Sequence, residues 1–546
     1  MTRQANLTDE RVVHDPFRHH TTGRHHVRHG GGHAAVSTYA SAEPATMPIP
    51  LVTERLITEP LPRLAVAPPI VARPSLAKQL TQARRVPSWV LVLLVVVTCV
   101  LSTAPTLVST AFVISEGAPT AYLALVPVWA LMIALTTDRS HRRHDVSDSD
   151  IDRILATLIA TLAITSCQLI LGRIGAIGEF WHAHLVSVIA WVMAVSILKF
   201  GSRSAARVRV AWGFLALCFP PFFLLTGQAL GGSVLVYGAL TAFYGAIAMF
   251  LTLRETRVKW LVTPAFFTLA FAGTYLLQHA SVPLAYLAPS AALTGLTVAL
   301  FVRAPRHHGG AEVPKHSLLT VAIVVVAAAI VGALPQHQVS HTPSADLIWV
   351  RADWVKALNK TPLLVGPPQV FAWGPQVMGE GGSVVRYRLA SLKNVAFLDI
   401  YSTHDYGRLT EYCCGLWYAT APPPDVQRPF SSSGSAITQI AQMGNQYSPP
   451  QKPGDPAWTA HQWLWRYRAA TGPVYQAIYL IASRDEKAPE NVATPRPPSV
   501  RTGILAPLAA LIQDHAALHN PTQYDSEALD AISRQIIGAA QVKPAK

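Results

Sequence analysis

The stretch SWVLVLLVVVTCVLSTAPTLVS, Ser88–Ser109, contains no charged side chain, and its length matches the roughly 20 residues a helix needs to cross a bilayer. It begins too far into the chain for a cleavable signal, so it is expected to stay as an anchor. Lys78, Arg84 and Arg85 stand just before it, and basic residues on one flank of an apolar run mark a cytoplasmic end.

Working outward from this run, similar apolar stretches fall at 120–136, 152–172, 181–199, 210–229, 233–252, 261–278, 284–302 and 317–335. Together they predict an α-helical transmembrane bundle of about nine helices over residues 87–336. Composition agrees: 51% of residues are hydrophobic and only 14% charged, too apolar a balance for an ordinary soluble chain. The net charge of +14 does not indicate nucleic acid, because the basic residues recur between apolar runs and form no basic domain interleaved with aromatics.

Loop charge sets an orientation. Arg139, Arg142 and Arg143 follow the second run, Lys199, Arg203, Arg207 and Arg209 the fourth, Arg254, Arg257 and Lys259 the sixth, and Arg303, Arg306 and Lys315 the eighth. Arg173 is the lone basic residue of the alternate loops, so the basic clusters share the cytoplasm with the N-terminus. Nine crossings then place residues 337–546 outside as an extracytoplasmic α+β domain. Its runs SVVRYRLA, NVAFLDIYST, HQWLWRYRA and VYQAIYLIAS have the aromatic and β-branched character of strands. Helices are expected at about 502–519 and 526–542, the second capped by Asp525 or Ser526. APPPD and TPRPP mark surface loops.

Residues 1–86 lack apolar periodicity and read as a disordered cytoplasmic tail rich in His, Pro and Arg. Within it, His19, His20, His25, His26, His29 and His33 are candidate ligands for a transition metal, or simply a solvated low-complexity tract. No cofactor is expected.

The apolar part offers little chemistry. His182, His184, Glu179 and His279 fall at the expected outer boundary, either as interfacial side chains or as a shared outer-face site. CFPPFF, Cys218–Phe223, breaks its helix at paired prolines, as a packing kink or as the frame of a mid-membrane site.

Cys99, Cys167 and Cys218 read as buried apolar residues, which leaves Cys413 and Cys414 in EYCCGLWY as the outside pair. A bond between neighbours is disfavoured, since adjacent Cα atoms are about 3.8 Å apart and disulfides ordinarily need about 4.4 Å or more. Inert thiols, an intermolecular link or adduct, and a nucleophile activated by His404 across a turn at Gly407 all remain open.

The early crossing AYLALVPVWALMIALTTDRSHRR, the helices after it and the tail segment NVAFLDIYSTHDYGRL running into cysteines resemble an exosortase fused to its associated extracytoplasmic domain. The resemblance covers about 88–546 and implies an intramembrane transpeptidase-like relative from exopolysaccharide or sorting loci. That family's cysteine lies in a short CSG-like motif. The nearest wording here, APSAALTGLTVALF, has no cysteine, so no catalytic residue carries over.

The expected function is that of a multi-pass envelope protein in the plasma membrane, assisting export, assembly or processing of envelope proteins or polysaccharide by binding. The alternatives are an outer-face thiol-dependent peptidase or transferase, and a carrier for a lipid-linked or small neutral solute. The expected partners are the lipid bilayer, an envelope protein or polysaccharide-assembly partner, and a second copy of the chain, with no nucleic acid.

Overall fold

Arg84–Lys546 forms one compact unit. The computed structural model describes residues 110–137, 149–253, 257–301, 343–390, 396–412, 417–418, 427–429, 439–444, 458–483, 492–505, 507–509 and 523–541, with isolated positions between 97 and 108. The histidine-rich tract and the runs at 317–335 and most of 88–109 lie outside the described residues, as do Cys99, Cys413 and Cys414.

The helical part opens with a 3-10 turn, Pro119–Ala124, followed by α1 (Val126–Thr136). Then come α2 (Ser149–Phe180), α3 (Ala183–Phe200), α4 (Ser202–Arg207), α5 (Arg209–Leu217), α6 (Pro220–Ala229), α7 (Val234–Thr252), α8 (Lys259–Leu277) and α9 (Val282–Phe301). The nine-helix expectation does not hold. Among the described residues three helical stretches are long and apolar enough to cross a membrane: Pro119–Thr136, Val234–Thr252 and Lys259–Leu277. A fourth results if α5 and α6, bent by 45° at their junction, count as one span.

The reasons are local. The apolar portions of α3 and α9, Ala183–Leu198 and Leu284–Leu300, are shorter than a spanning helix. The fifth run is cut by Pro220 and Pro221, which start a new helix at its first positions, where a missing N–H costs nothing. The Cys218 carbonyl at the break accepts a hydrogen bond from the Tyr122 hydroxyl at 2.7 Å. Small residues let the helices approach closely: a Cβ at Gly238 would strike Thr274 on α8, and one at Gly245 would meet Phe266 on α8.

The second part is mixed α/β, built on an eight-stranded sheet. Its strands are β1 (Trp349–Val350), β2 (Leu364–Val370), β3 (Ser383–Leu389), β4 (Ala396–Thr403), β5 (Gln427–Pro429), β6 (Gln439–Gly444), β7 (Trp458–Ala469) and β8 (Gly472–Ser483). The order is β2-β3-β4-β8-β7-β6-β5, antiparallel throughout, with β1 added parallel to the far end of β7. The β7–β8 hairpin turns through Ala470 and Thr471, and Gly472 takes a φ of 128° at its exit, which favours glycine. β2 is an edge strand carrying Pro367 and Pro368, and its register shifts between Val365 and Gln369. The short helices α10 (Trp354–Leu358), α11 (Gly374–Met378) and α12 (Tyr406–Glu411) punctuate the strands, and α13 (Gln523–Ala540) closes the chain. Of the expected helix at 502–519, the described parts are a short π-helical turn, Arg501–Leu505, and a helical piece at 507–509.

Strand alternation splits the sheet's side chains between two cores. One face, with Leu398, Ile400, Trp463, Trp465, Ile478 and Leu480, packs under α13 through Leu529, Ile536 and Ile537. The other, with Tyr401, Trp458, Ala477, Tyr479 and Ile481, packs against Phe180, Trp181, Leu224 and Leu225 of the helical part. On this second face Arg386 forks onto Asp399 with both bonds at 2.7 Å, and Tyr418 donates to the same carboxylate at 2.7 Å. Burial, then the Asp399 charge, pushes the Tyr418 hydroxyl well above its ordinary pKa, so it stays a donor.

His461 on the α13 side is buried, with Nδ1 3.2 Å from the Ser533 hydroxyl, and burial pushes its pKa down to about 4. The unfolded chain therefore takes up a proton below pH 6.5 that the folded chain refuses until about pH 4. Stability is expected to fall across that window by roughly 3 kcal/mol and to level off beneath it. Thermal unfolding of His461→Gln between pH 7 and pH 4 is expected to lack this component of the acid loss; an unchanged pH slope would refute the assignment.

Candidate functional site: a buried polar joint between helices and sheet

The segment Ser115–Thr120, SEGAPT, turns the chain at Gly117, which has a φ of 86°, and leads into the 3-10 turn at Pro119. α12 sits directly on it. The Gly407 N–H donates to the Glu116 carbonyl at 2.9 Å, and a Cβ on Gly407 would run into the backbone of Gly117 and Ala118. Gly232, in the turn between α6 and α7, makes a similar approach, since a Cβ there would strike the Gln376 carbonyl of α11. These contacts bring sheet-domain backbone onto helical-part backbone at two places.

Every residue of α12 is buried, including its polar ones. Glu411 accepts from the Thr120 hydroxyl through Oε1 and faces His182 Nε2 through Oε2 at 3.0 Å. Both side chains of the pair are nearly sealed, at 7% exposure for His182 and 2% for Glu411. His182 occupies the break between α2 and α3 with φ 47° and ψ 47°, the left-handed region that L side chains seldom adopt. This conformation turns its ring toward Glu411, while its Nδ1 is buried without a hydrogen-bond partner.

One turn earlier on α12, Arg408 is 1% exposed. Its Nε donates to Asp405 at 3.2 Å and its Nη1 to the Val377 carbonyl at 3.3 Å, and the guanidinium lies 5.3 Å from the Tyr237 ring centre. Burial alone would lower its pKa, but Tyr286, Tyr237 and Asp405 around it outweigh that and hold it above its ordinary value. The Tyr412 hydroxyl lies 3.3 Å from the Leu224 carbonyl as donor. The Tyr237 hydroxyl, 2.8 Å from that of Tyr412, then supplies the proton between the two. Gln228 donates to the Pro498 carbonyl at 2.9 Å and the Trp181 indole to the Gly503 carbonyl at 2.6 Å, tying the 492–505 segment to the same helices.

The arrangement sets two carboxylates, Asp405 and Glu411, against one permanent cation and one histidine inside an apolar surround. Such groups hold and orient one another.

The expected site residues fare unevenly. His182 and His184 do adjoin, with ring centres 5.4 Å apart, but the carboxylate that His182 meets is Glu411. The side chain of Glu179 lies outside the described residues, and exposed His279 makes no recorded contact with either histidine. His404 is exposed, its Nδ1 3.2 Å from the Pro473 carbonyl. Cys218 is buried with a free thiol. No cluster of three or more His, Cys, Asp or Glu that could hold a metal occurs among the described residues. Glu411, Thr120 and Arg408 were not expected. The trace they leave is the charged DYGRLTE, Asp405–Glu411, whose three charges recur at three-residue spacing inside an aromatic stretch.

Comparison with family models, with curated proteins and with solved structures finds no match to this chain.

Removing one partner of a buried charged pair strands the other, which costs about 3–5 kcal/mol. Glu411→Ala is therefore expected to lower the thermal midpoint of the full chain far more than Glu411→Gln, which keeps an acceptor for Thr120. In a double-mutant cycle, His182→Ala and Glu411→Ala are expected to be strongly non-additive; additive effects would show that the pair carries no coupling. Gly407→Ala is expected to destabilise as well, by forcing α12 off Ala118 and with it Glu411 away from Thr120 and His182.

Proposed function

We propose that this chain is an integral membrane protein of the cell envelope, exosortase-like in layout, with a cytoplasmic N-terminus and its sheet domain on the extracytoplasmic side. It assists the export, assembly or processing of envelope proteins or polysaccharide by binding. The helices set the sheet domain at a fixed height and angle over the membrane, and the domain engages the partner.

One observation carries this reading. The sheet shares a continuous apolar core with Phe180, Trp181, Ala183, Leu224 and Leu225 of the helices, sealed by the Glu411 joint. A module tethered for mobility has no use for such a core; a module that must present a surface in one orientation does. The lipid-facing character of α8 supports the membrane setting: Leu261, Leu269 and Leu276 are 57–78% exposed on it.

The same core argues against a carrier. Pro220, Pro221, Phe223 and Leu224 of the broken helix are buried, and the Leu224 carbonyl is held by Tyr412. Alternating access needs a helix free to rock, and this one is fastened to the sheet domain.

Four outcomes test the proposal. The full chain is expected to resist alkaline extraction from membranes, and a tag after Lys546 is expected to be reached by impermeant reagents on intact cells. In cells lacking the chain, surface polysaccharide and exported proteins are expected to fall and to be restored by the whole chain but not by residues 337–546 alone, which lack part of their core. Restoration by a Cys413→Ser, Cys414→Ser double variant is expected. Its failure at normal abundance would transfer the reading to a thiol-dependent enzyme, and extraction of the wild type by alkali would overturn the membrane assignment.

A further inference from the structure

Strand alternation places two more arginines on the sheet face that packs on the helices. Trp458, Ala460 and Leu464 of β7 join that core, and Arg466 and Arg468 continue the same parity toward the hairpin, past the point where helices cover the sheet. β1 pairs Trp349 with Arg466, and Val350 of β1 enters the opposite core, so Trp349 shares the face of the arginines. The Arg466 guanidinium lies 4.3 Å from the Trp349 ring centre and that of Arg468 lies 5.5 Å from it.

This cluster is open and cationic. Trp349 is 43% exposed, a large fraction for an indole. Arg466 is half-buried: it spends one bond on the Ala345 carbonyl at 2.8 Å and its Nε is buried without a hydrogen-bond partner, whereas Arg468 is exposed. No carboxylate pairs with Arg466 or Arg468 among the described residues, although Asp346 and Glu116 lie along the adjoining segments. The chain also fixes the height of the cluster. Ser344, next to Ala345, donates its N–H to the Glu116 carboxylate at 3.2 Å, and Glu116 belongs to the loop that enters the first apolar helical stretch, Pro119–Thr136. The arginines therefore sit at the level where helix gives way to sheet, on the side of the sheet turned toward the helices.

We propose that Trp349, Arg466 and Arg468 form a docking site for the phosphate headgroups of anionic phospholipid at the membrane surface. Forked arginine donors match phosphate oxygens, and an indole at the same level suits the boundary between apolar chains and headgroups. The site rests on the membrane reading given above. Its occupant follows from charge and from continuity with the helix-packed face of the sheet. Occupancy brings the sheet's uncovered flank down onto the bilayer, adding a second hold beside the Glu411 joint.

The test uses the full chain in nanodiscs of phosphatidylcholine alone or mixed with phosphatidylglycerol, with retained lipid counted by native mass spectrometry. The wild type is expected to retain phosphatidylglycerol preferentially. An Arg466→Gln, Arg468→Gln double variant is expected to lose that preference by roughly thirty-fold, the effect of two basic side chains at an anionic surface. The double lysine variant, which keeps the charge but not the fork, is expected to keep only part of it, and Arg351→Gln, which removes an exposed arginine paired with Asp353, is expected to keep all of it. Trp349→Leu provides a second reading should the arginine variant fail to fold. Unchanged phosphatidylglycerol retention in the glutamine variant would overturn the proposal. Displacement of the lipid by inorganic phosphate, or capture of a soluble anionic polysaccharide in its place, would overturn it too. A chain that stays in solution without detergent defeats both this proposal and the membrane reading, whereas one that enters discs without regard to headgroup charge defeats this proposal alone.

Discussion

The close approach of Gly407 to Ala118 is the constraint on which the rest of the structure depends. Only a residue without a side chain lets α12 lie against the SEGAPT loop, and only in that position does Glu411 reach both Thr120 and His182. Burying a carboxylate there is costly, and it is tolerated because each oxygen is met, one by a hydroxyl and one by an imidazole. His182 bears a cost of its own in a left-handed backbone conformation, which the packing around it enforces. Polar groups at this boundary do what apolar contacts cannot: they specify a single register between helices and sheet.

From that register the two faces of the sheet acquire different tasks. The face under α13 is a conventional interior of Trp, Leu and Ile side chains. The opposite face is more polar, with Arg386, Asp399 and Tyr418 linked beneath the 492–498 segment, and it receives the helices. A domain that stood free in water would have left this second face solvated or covered it with its own chain. Here Phe180, Trp181 and Leu224 supply the cover.

Much of this was legible in the residues, and the gaps have physical causes. Strands β3, β4, β7 and β8 coincide with runs of alternating aromatic and β-branched side chains, because local pattern decides which face each residue takes. Helix existence was equally plain, but spanning length was not. Hydropathy ignores where a proline or a left-handed residue ends one helix and begins another, as at Pro220 and His182. The joint was the least visible part, because Thr120, His182 and Glu411 lie 62 and 229 residues apart along the chain and no local periodicity links them.

The shared core also bears on how the protein is made. Phe180, Trp181 and Leu224 leave the ribosome long before Tyr401, Trp458 and Tyr479, the residues that cover them. Through that interval the helical part presents an unshielded aromatic platform, and the sheet has nothing complete to fold against except that platform. Synthesis order and native packing thus run in the same direction, with the earlier half acting as a template for the later one. A chain interrupted before β7 and β8 would leave the platform bare, a natural target for quality-control proteases.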